Sequence, residues 1–228
     1  MREPTVASLM TAEVIGASPD TPFQDLVRLL EDNKISAVPV VEDDRPVGVV
    51  SEADLLPKEE FRAGAEEAPA LLAGRAEKHR WAQSAGLIAR DVMSSPVRTV
   101  TPDTPASRAA RELAAAGVRR LFVVDDNGVL VGVLSRRDLL SLFVREDEDL
   151  RREIKEEVFG RALWVDPRSI DVEVSSGVVT VSGRLEQRSQ IEIAEHLVRA
   201  TPGVVDVENH LRAEWDDTKP KRQTEIFG

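Results

Sequence analysis

Hydrophobic and polar residues alternate along the first quarter of the chain with the periods of regular secondary structure. The segment 22–33 places apolar residues at three- and four-residue spacing and predicts a helix with one buried face, capped by Thr21 and starting at Pro22. Continuous apolar runs at 37–41 and 47–50 flank an acidic turn and predict a β-hairpin.

The same pattern returns further along the chain. The offset is 83 residues from Met10 and Met93 onward, and it is 84 from Gly48 and Gly132 onward. The one-residue slip lies in the turn, where a hairpin loop can absorb it. The duplication predicts two β-α-β-β-α repeats, with Thr104 capping a helix at 105–116 in the second repeat. Because each repeat leaves one sheet face open, we expect the repeats to pack together.

The sequence between the repeats and after them shows neither copy of this pattern. Residues 57–88 are rich in Ala and Glu, and we predict a surface helix at 76–85, anchored by Trp81, within an otherwise mobile insertion. A helical pattern at 150–160 ends at Gly160.

Beyond it, strands at 170–174 and 178–181, a helix at 187–200 and a strand at 204–211 predict an α-β-β-α-β module. The fold class is therefore α/β (α+β). The predicted divisions are a first repeat at 1–56, an insertion at 57–88, a second repeat at 89–144, the module at 149–213 and a polar tail at 214–228.

Composition narrows the classes of function. The 228 residues include no Cys, which excludes disulfides and thiol chemistry, and the formal net charge of −11 opposes a nucleic-acid partner. The start of the chain shows no secretory signal pattern, and no apolar run reaches the roughly 18 residues of a membrane span, so a cytoplasmic location is expected.

Both repeats closely resemble CBS domains, named after cystathionine β-synthase. The resemblance is carried by the openings Val6 to Thr11 and Asp91 to Ser94, and by the closings Gly48-Val-Val-Ser-x-x-Asp and Gly132-Val-Leu-Ser-x-x-Asp. It implies a pair that binds an adenine nucleotide or related adenosyl ligand between its repeats and that forms a homodimer. AMP, ADP and ATP are candidate ligands, and no cofactor is required.

The closing motif also has a direct chemical meaning. An aspartate at the third helical position can accept both hydrogen bonds of a ribose diol. The alternative is that Ser51 with Asp54, and Ser135 with Asp138, only cap a helix. The residues expected to hold the ligand are Val14, Ile15, Ala37, Val38, Pro39, Ser51, Asp54, Val97, Arg98, Arg119, Arg120, Leu121, Phe122, Ser135, Arg136, Arg137 and Asp138.

The repeats differ in charge. The second has Arg119-Arg120 and Arg136-Arg137 where the first has Ser36-Ala37 and Glu52-Ala53. Phosphate needs cationic donors, so one hypothesis assigns it to these arginines. The other makes them solvated surface or dimer salt bridges.

The last module resembles a BON domain, the bacterial osmotic-stress and nodulation module, through Gly177-Val-Val-Thr-Val-Ser-Gly183 and Thr201-Pro-Gly203. Such modules are associated with membranes, but residues 149–217 hold 15 acidic and 9 basic residues, net −6, which disfavours anionic lipid. An unidentified protein partner or a carbohydrate-like surface is the preferred contact.

No catalytic constellation can be assembled. The chain has three histidines, no Gly-rich phosphate loop and no Gly-x-Ser-x-Gly elbow, so neither a metal site nor an enzyme is expected. The leading hypothesis is a regulatory protein that couples nucleotide occupancy to dimer arrangement. Its rival is a ligand-independent scaffold or stress-response protein that dimerises through the CBS pair and contacts a protein or membrane through the last module.

Overall fold

The computed structural model describes residues 3–61 and 74–218 and shows a mixed α+β protein, as the sequence predicts. Two compact units divide the chain. The first spans Thr5–Arg136 and contains the first repeat and the second repeat as far as its closing strand, and the second contains residues 3–4 and the described residues from Arg137 onward. No helix in the described part of the chain is long and apolar enough to cross a membrane.

The described residues contain the predicted helices and strands in order, except that the first strand of the first repeat is missing and two short α-helices are additional. Those of the first unit are α1 (Phe23–Asp32), β1 (Ala37–Glu42), β2 (Arg45–Ser51), α2 (Glu52–Leu55), α3 (Pro57–Glu60), α4 (Arg75–Ala85), α5 (Ala89–Val92), β3 (Thr99–Val100), α6 (Ala106–Ala115), β4 (Arg120–Val124) and β5 (Leu130–Ser135), followed by α7 (Arg136–Leu140). Those of the second unit are α8 (Asp147–Glu153), a π-helix (Ile154–Ala162), β6 (Ile170–Ser175), β7 (Val178–Gln187), α9 (Arg188–Arg199) and β8 (Asp206–Trp215).

The one-residue difference in offset between the two repeats is located in their hairpins. Both have a β-bulge at the same place, after Val40 in the first and after Val123 in the second. The extra residue therefore lies in the loop. The first hairpin turns tightly through Asp43 and Asp44, both left-handed, whereas the second uses a longer loop with left-handed Gly128.

The predicted threonine caps are wrong. The residue preceding α1 is Pro22, and the one preceding α6 is Pro105. The Thr21 hydroxyl instead accepts a hydrogen bond from the Ser18 amide at 2.9 Å, because threonine readily closes a turn through its own side chain. The helix α1 still buries Leu26 and Leu30 of its predicted apolar face, whereas Val27 on that face is 39% exposed.

The first strand of the two repeats differs. In the second repeat β3 pairs in parallel with β4, and the Phe122 amide donates to the Arg98 carbonyl at 2.9 Å. In the first repeat the equivalent strand is reduced to a single bridge between Ala17 and Val40. Pro39 stands at the position of Phe122 and has no N–H to donate to the Ile15 carbonyl, so this ladder cannot extend.

The repeats exchange their opening segments. The Val6 amide donates to the Thr104 carbonyl of the second repeat at 2.8 Å, and the Ala89 amide donates to the Thr21 carbonyl of the first at 2.9 Å. Donors and acceptors of these two bonds are each 83 residues apart, so the contacts are equivalent. Two pseudo-symmetric repeats thus form one packed unit.

The second unit has the predicted α-β-β-α-β order. Its sheet order is β6-β7-β8, with β6 antiparallel and β8 parallel to β7. The first helix continues as a π-helix to Ala162, so Gly160 does not end it. The strand β8 continues to Trp215, and the Asp217 carboxylate accepts from the Ser189 amide and hydroxyl at 3.0 and 2.5 Å, so the described start of the predicted tail is structured.

Candidate functional site

The carboxylate of Asp54 lies at the start of α2, and all its bonding capacity is used inside the protein. Its Oδ2 accepts from the Ser51 amide at 2.8 Å and from the Ser51 hydroxyl at 2.5 Å, which is the predicted capping box. Its Oδ1 accepts from Ser94 Oγ at 2.8 Å and from Gln83 Nε2 at 3.1 Å. Asp54 therefore joins its own repeat to the segment that opens the second repeat and to the insertion.

Gln83 connects the helix of the insertion to this carboxylate. It is 4% exposed, and its Nε2 also donates to the Val92 carbonyl at 2.6 Å. Trp81, the predicted anchor, is 41% exposed. The prediction for Trp81 is therefore wrong, because a buried amide rather than an indole makes the attachment. The predicted mobile part of the insertion at 62–73 lies outside the described residues.

Arg120 lies between the two repeats. Its Nη1 donates to the Ala37 carbonyl and its Nη2 to Ser36 Oγ, both at 2.9 Å. Burial, helped by the positive charge of Arg119, lowers the pKa of Arg120, while Glu52 raises it in part. Ala37 is the repeat equivalent of Arg120, so this guanidinium lies close to the pseudo-twofold axis of the pair.

The other arginines of the second repeat are on the surface. Arg119 and Arg136 are exposed, and Arg136 Nε donates to the Val118 carbonyl at 3.1 Å. Arg137 and Asp138 both lie in α7, which begins directly after Ser135, so the Ser-x-x-Asp spacing again starts at a strand-to-helix junction. Arg137 is exposed and Asp138 is half-buried.

The remaining predicted site residues fall into two groups. The side chains of Val38, Leu121 and Phe122 are at most 2% exposed, so they pack in the core rather than line an open cleft. Pro39 is buried as well, and the more accessible residues are Val14, Ile15, Ala37, Val97 and Arg98.

Val14 lines a cavity of about 420 Å³ together with parts of both hairpins, which include Val41, Asp44 and Leu130. The cavity is in the first unit and draws residues from each repeat. Of the predicted ligand residues, Val14 is the one that lines it.

The sequence analysis did not identify three residues that form hydrogen bonds with Asp54 or Arg120, namely Ser36, Gln83 and Ser94. Ser94 follows the Met of the opening motif, and its repeat equivalent is Thr11, so its position could have been noticed. Ser36 precedes Ala37, the repeat equivalent of Arg120, and equivalent residues near a pseudo-twofold axis lie close together. The repeat alignment therefore contained a signal for the contact between Ser36 and Arg120. No sequence signal identifies Gln83, since a buried glutamine on a polar helix has no periodic pattern.

Metal binding finds no support in the described residues, where no group of three or more His, Asp or Glu side chains could hold an ion. The network around Asp54 consists of one carboxylate and neutral donors. Its acceptor positions are occupied by hydroxyl and amide donors of the protein, and the Ser51 hydroxyl that donates to Asp54 is part of the capping box.

Comparison with known proteins gives matches to both parts of the chain. The CBS domain model matches residues 6–58 and 89–145, and the BON domain model matches residues 146–214. The protein MJ1426 of Methanocaldococcus jannaschii is 31% identical over 139 residues, which are 55% of this chain and 83% of that protein. The protein MK0525 of Methanopyrus kandleri is 31% identical over 143 residues, 62% of this chain and 64% of that protein, so the chain matches less than two thirds of its length.

Among solved structures, CBSX2 of Arabidopsis thaliana in complex with AMP is similar to this chain. The identity is 29% and the TM-score is 0.51, with 60% of this chain and 94% of that chain covered.

Proposed function

The chain belongs to the CBS domain family, with two CBS domains followed by a BON domain, and on this basis we propose that it is a non-enzymatic regulatory protein whose CBS pair binds an adenine nucleotide. Occupancy by AMP, ADP, ATP or a related adenosyl ligand would favour one arrangement of a homodimer over another. Such coupling requires that the ligand bind the two arrangements with different affinity.

One observation carries this proposal. The chain is similar along 94% of the CBSX2 chain, a CBS pair that binds AMP, at 29% identity. The repeated Ser-x-x-Asp motif supports it, because in the first repeat Ser51 and Asp54 stand at a strand-to-helix junction with the carboxylate oriented by the serine.

The charge difference between the repeats supports phosphate binding by the second. Arg119, Arg136 and Arg137 are exposed, so an anion can reach them, whereas the equivalent residues of the first repeat include Glu52. Arg120 is engaged with Ser36 and Ala37 and would position the cleft rather than hold phosphate. A nucleotide would then place its phosphate at the second repeat.

The test is the thermal stability of the intact chain with AMP, ADP, ATP, NAD and S-adenosylmethionine, each with and without magnesium. A ligand at 100 times its dissociation constant stabilises the folded state by about 2.7 kcal/mol, which gives a measurable rise in Tm. The rise for one ligand should be weaker in Arg119→Gln and Arg136→Gln. The absence of a shift for all five would refute nucleotide binding by this pair.

A ligand-independent scaffold is the second candidate, and a specific observation favours it. The predicted ligand residues Asp54 and Arg120 bind other residues of the protein, so they stabilise the pair without a nucleotide. A scaffold of this kind would show no Tm shift. It would still assemble through the CBS pair and use the BON domain for contacts.

For the homodimer we propose a contact through the exposed helices of the first repeat. A groove of about 660 Å³ runs between α1 and α2–α3, with Val27 and Leu56 among its exposed apolar residues. Light scattering of Leu56→Glu against the parent chain tests this, since a buried charge at the contact should yield monomers. We propose an unidentified protein as the partner of the BON domain, because residues 149–217 carry a net charge of −6, which repels anionic lipid.

A further inference from the structure

The helix α4 is attached to the CBS pair in an unusual way. Gln83 is the one buried residue of this helix, all of whose residues the structure describes. Amphipathic helices normally dock through a stripe of apolar side chains. Since α4 has no such stripe, its attachment depends on polar contacts.

Those contacts converge on the ribose-binding candidate of the first repeat. An ionised carboxylate offers about four acceptor positions. In Asp54 two are taken by Ser51, one by Ser94 and one by Gln83. A ribose diol needs two acceptors, so it can bind Asp54 only when Gln83 leaves Oδ1 and the Ser94 hydroxyl, which can rotate, donates elsewhere.

From this geometry we infer that Gln83 blocks the ribose position of the first repeat, so that α4 decides which repeat holds the nucleotide. The inference rests on the proposed function and refines it. While α4 is docked, the first repeat is closed to adenosine ligands, and binding belongs to the second repeat. When α4 leaves, Asp54 becomes available and a second nucleotide can bind.

The other contacts of α4 and its C-terminal end make release feasible. Arg80 forms an ion pair with Glu60, and both side chains are more than 40% exposed, which makes the pair weak. Lys58 Nζ donates to the Gly86 carbonyl at 2.5 Å and lies 4.9 Å from the centroid of the Phe23 ring. The amide of Gln83 is therefore the buried part of the attachment and the part to remove.

The experiment is calorimetric titration of the full chain with AMP. The parent chain should bind one AMP per chain, and Asp54→Ala should leave this binding within about twofold. Gln83→Ala should add a second binding event, with affinity at the first repeat raised at least ~10-fold, the equivalent of about 1.4 kcal/mol. Adding Asp54→Ala to Gln83→Ala should remove that second event.

Two further variants serve as controls, one for poor folding of Gln83→Ala and one for a general effect of changing α4. Gln83→Leu keeps most of the side-chain volume without the donor, so it should free the carboxylate if Gln83→Ala folds poorly. His79→Ala changes an exposed residue of the same helix and should leave one AMP per chain.

Each other outcome has a defined meaning. Loss of the parent's binding in Asp54→Ala, two equal sites in the parent chain, or unchanged stoichiometry in both Gln83 variants would overturn the inference and leave the proposed nucleotide binding intact. The titration is repeated with ADP, ATP, NAD and S-adenosylmethionine if AMP does not bind, and no binding of any of the five by the parent or any variant would overturn the nucleotide-binding proposal and the inference with it.

Discussion

The hydrogen bond between Gln83 and Asp54 should contribute measurably to stability without any ligand. The perturbation is a double-mutant cycle of Asp54→Ala and Gln83→Ala. Each single change removes this bond together with the other contacts of the replaced side chain. In the double variant the bond is lost only once, so the cost of the double change falls below the sum of the single costs by the energy of the bond. The cycle therefore isolates the energy of this one contact.

The expected magnitude follows from the contacts. Asp54→Ala removes four hydrogen bonds, including a helix cap, and should cost about 3 kcal/mol. Gln83→Ala removes the bonds to Asp54 and to the Val92 carbonyl and should cost about 2 kcal/mol. A hydrogen bond to a charged group is worth about 1.5–3 kcal/mol, and since Asp54 is half-buried, the coupling should be near the lower end, about 1.5 kcal/mol.

Trp81 provides a local probe for this measurement. Replacing Trp164 and Trp215, which lie in the second unit, by Phe leaves Trp81 of α4 as the one tryptophan of the chain. Urea titrations followed by its fluorescence then report on the unit that contains the contact. A coupling energy within about 0.5 kcal/mol of zero would refute the reasoning, because independent sites add to within that margin. The pair Asp54→Ala and His79→Ala should show no coupling.

Two other changes test the packing of the repeats. A Cβ built on Gly132 would lie 2.6 Å from Met10 Sδ, so Gly132→Ala should cost about 1–3 kcal/mol in urea unfolding, whereas Gly74→Ala, with no atom within 4 Å, should cost almost nothing. Pro39→Ala restores an N–H opposite the Ile15 carbonyl, and hydrogen exchange should show the new amide protected; rapid exchange there would mean that proline is not what shortens this strand.

The sequence predicted the repeat architecture because local rules determine it. Each hairpin follows from an apolar run, an acidic turn and a one-residue slip, all of which are readable in 37–50 and its copy, whereas the β-bulge that both hairpins share was not predicted. Ser51 and Asp54 are three residues apart, so their capping box needs no tertiary information. The caps at Thr21 and Thr104 were wrong because a threonine hydroxyl serves a turn as readily as a helix end.

The composition of the site could not be predicted in the same way. Gln83 is 29 residues from Asp54 and Ser94 is 40, and nothing in the local pattern brings them together. Arg120 bonds to residues 83 and 84 positions away. The positive charge of Arg120 can be read from the sequence, but its hydrogen bonds to Ser36 and Ala37 depend on the pseudo-twofold packing. Because of these bonds, a candidate phosphate ligand instead connects the two repeats.

The exchange of opening segments implies that neither repeat is a folding unit by itself. Met93, which opens the second repeat, packs against Gly48 of the first, and Met10, which opens the first repeat, packs against Gly132 of the second. A fragment that contains one copy with its own opening segment would leave a methionine without its glycine and a glycine without its methionine. Joining each closing hairpin to the other copy's opening segment would restore the contacts. The pair, rather than the repeat, is therefore the smallest part of the first unit that buries its own core.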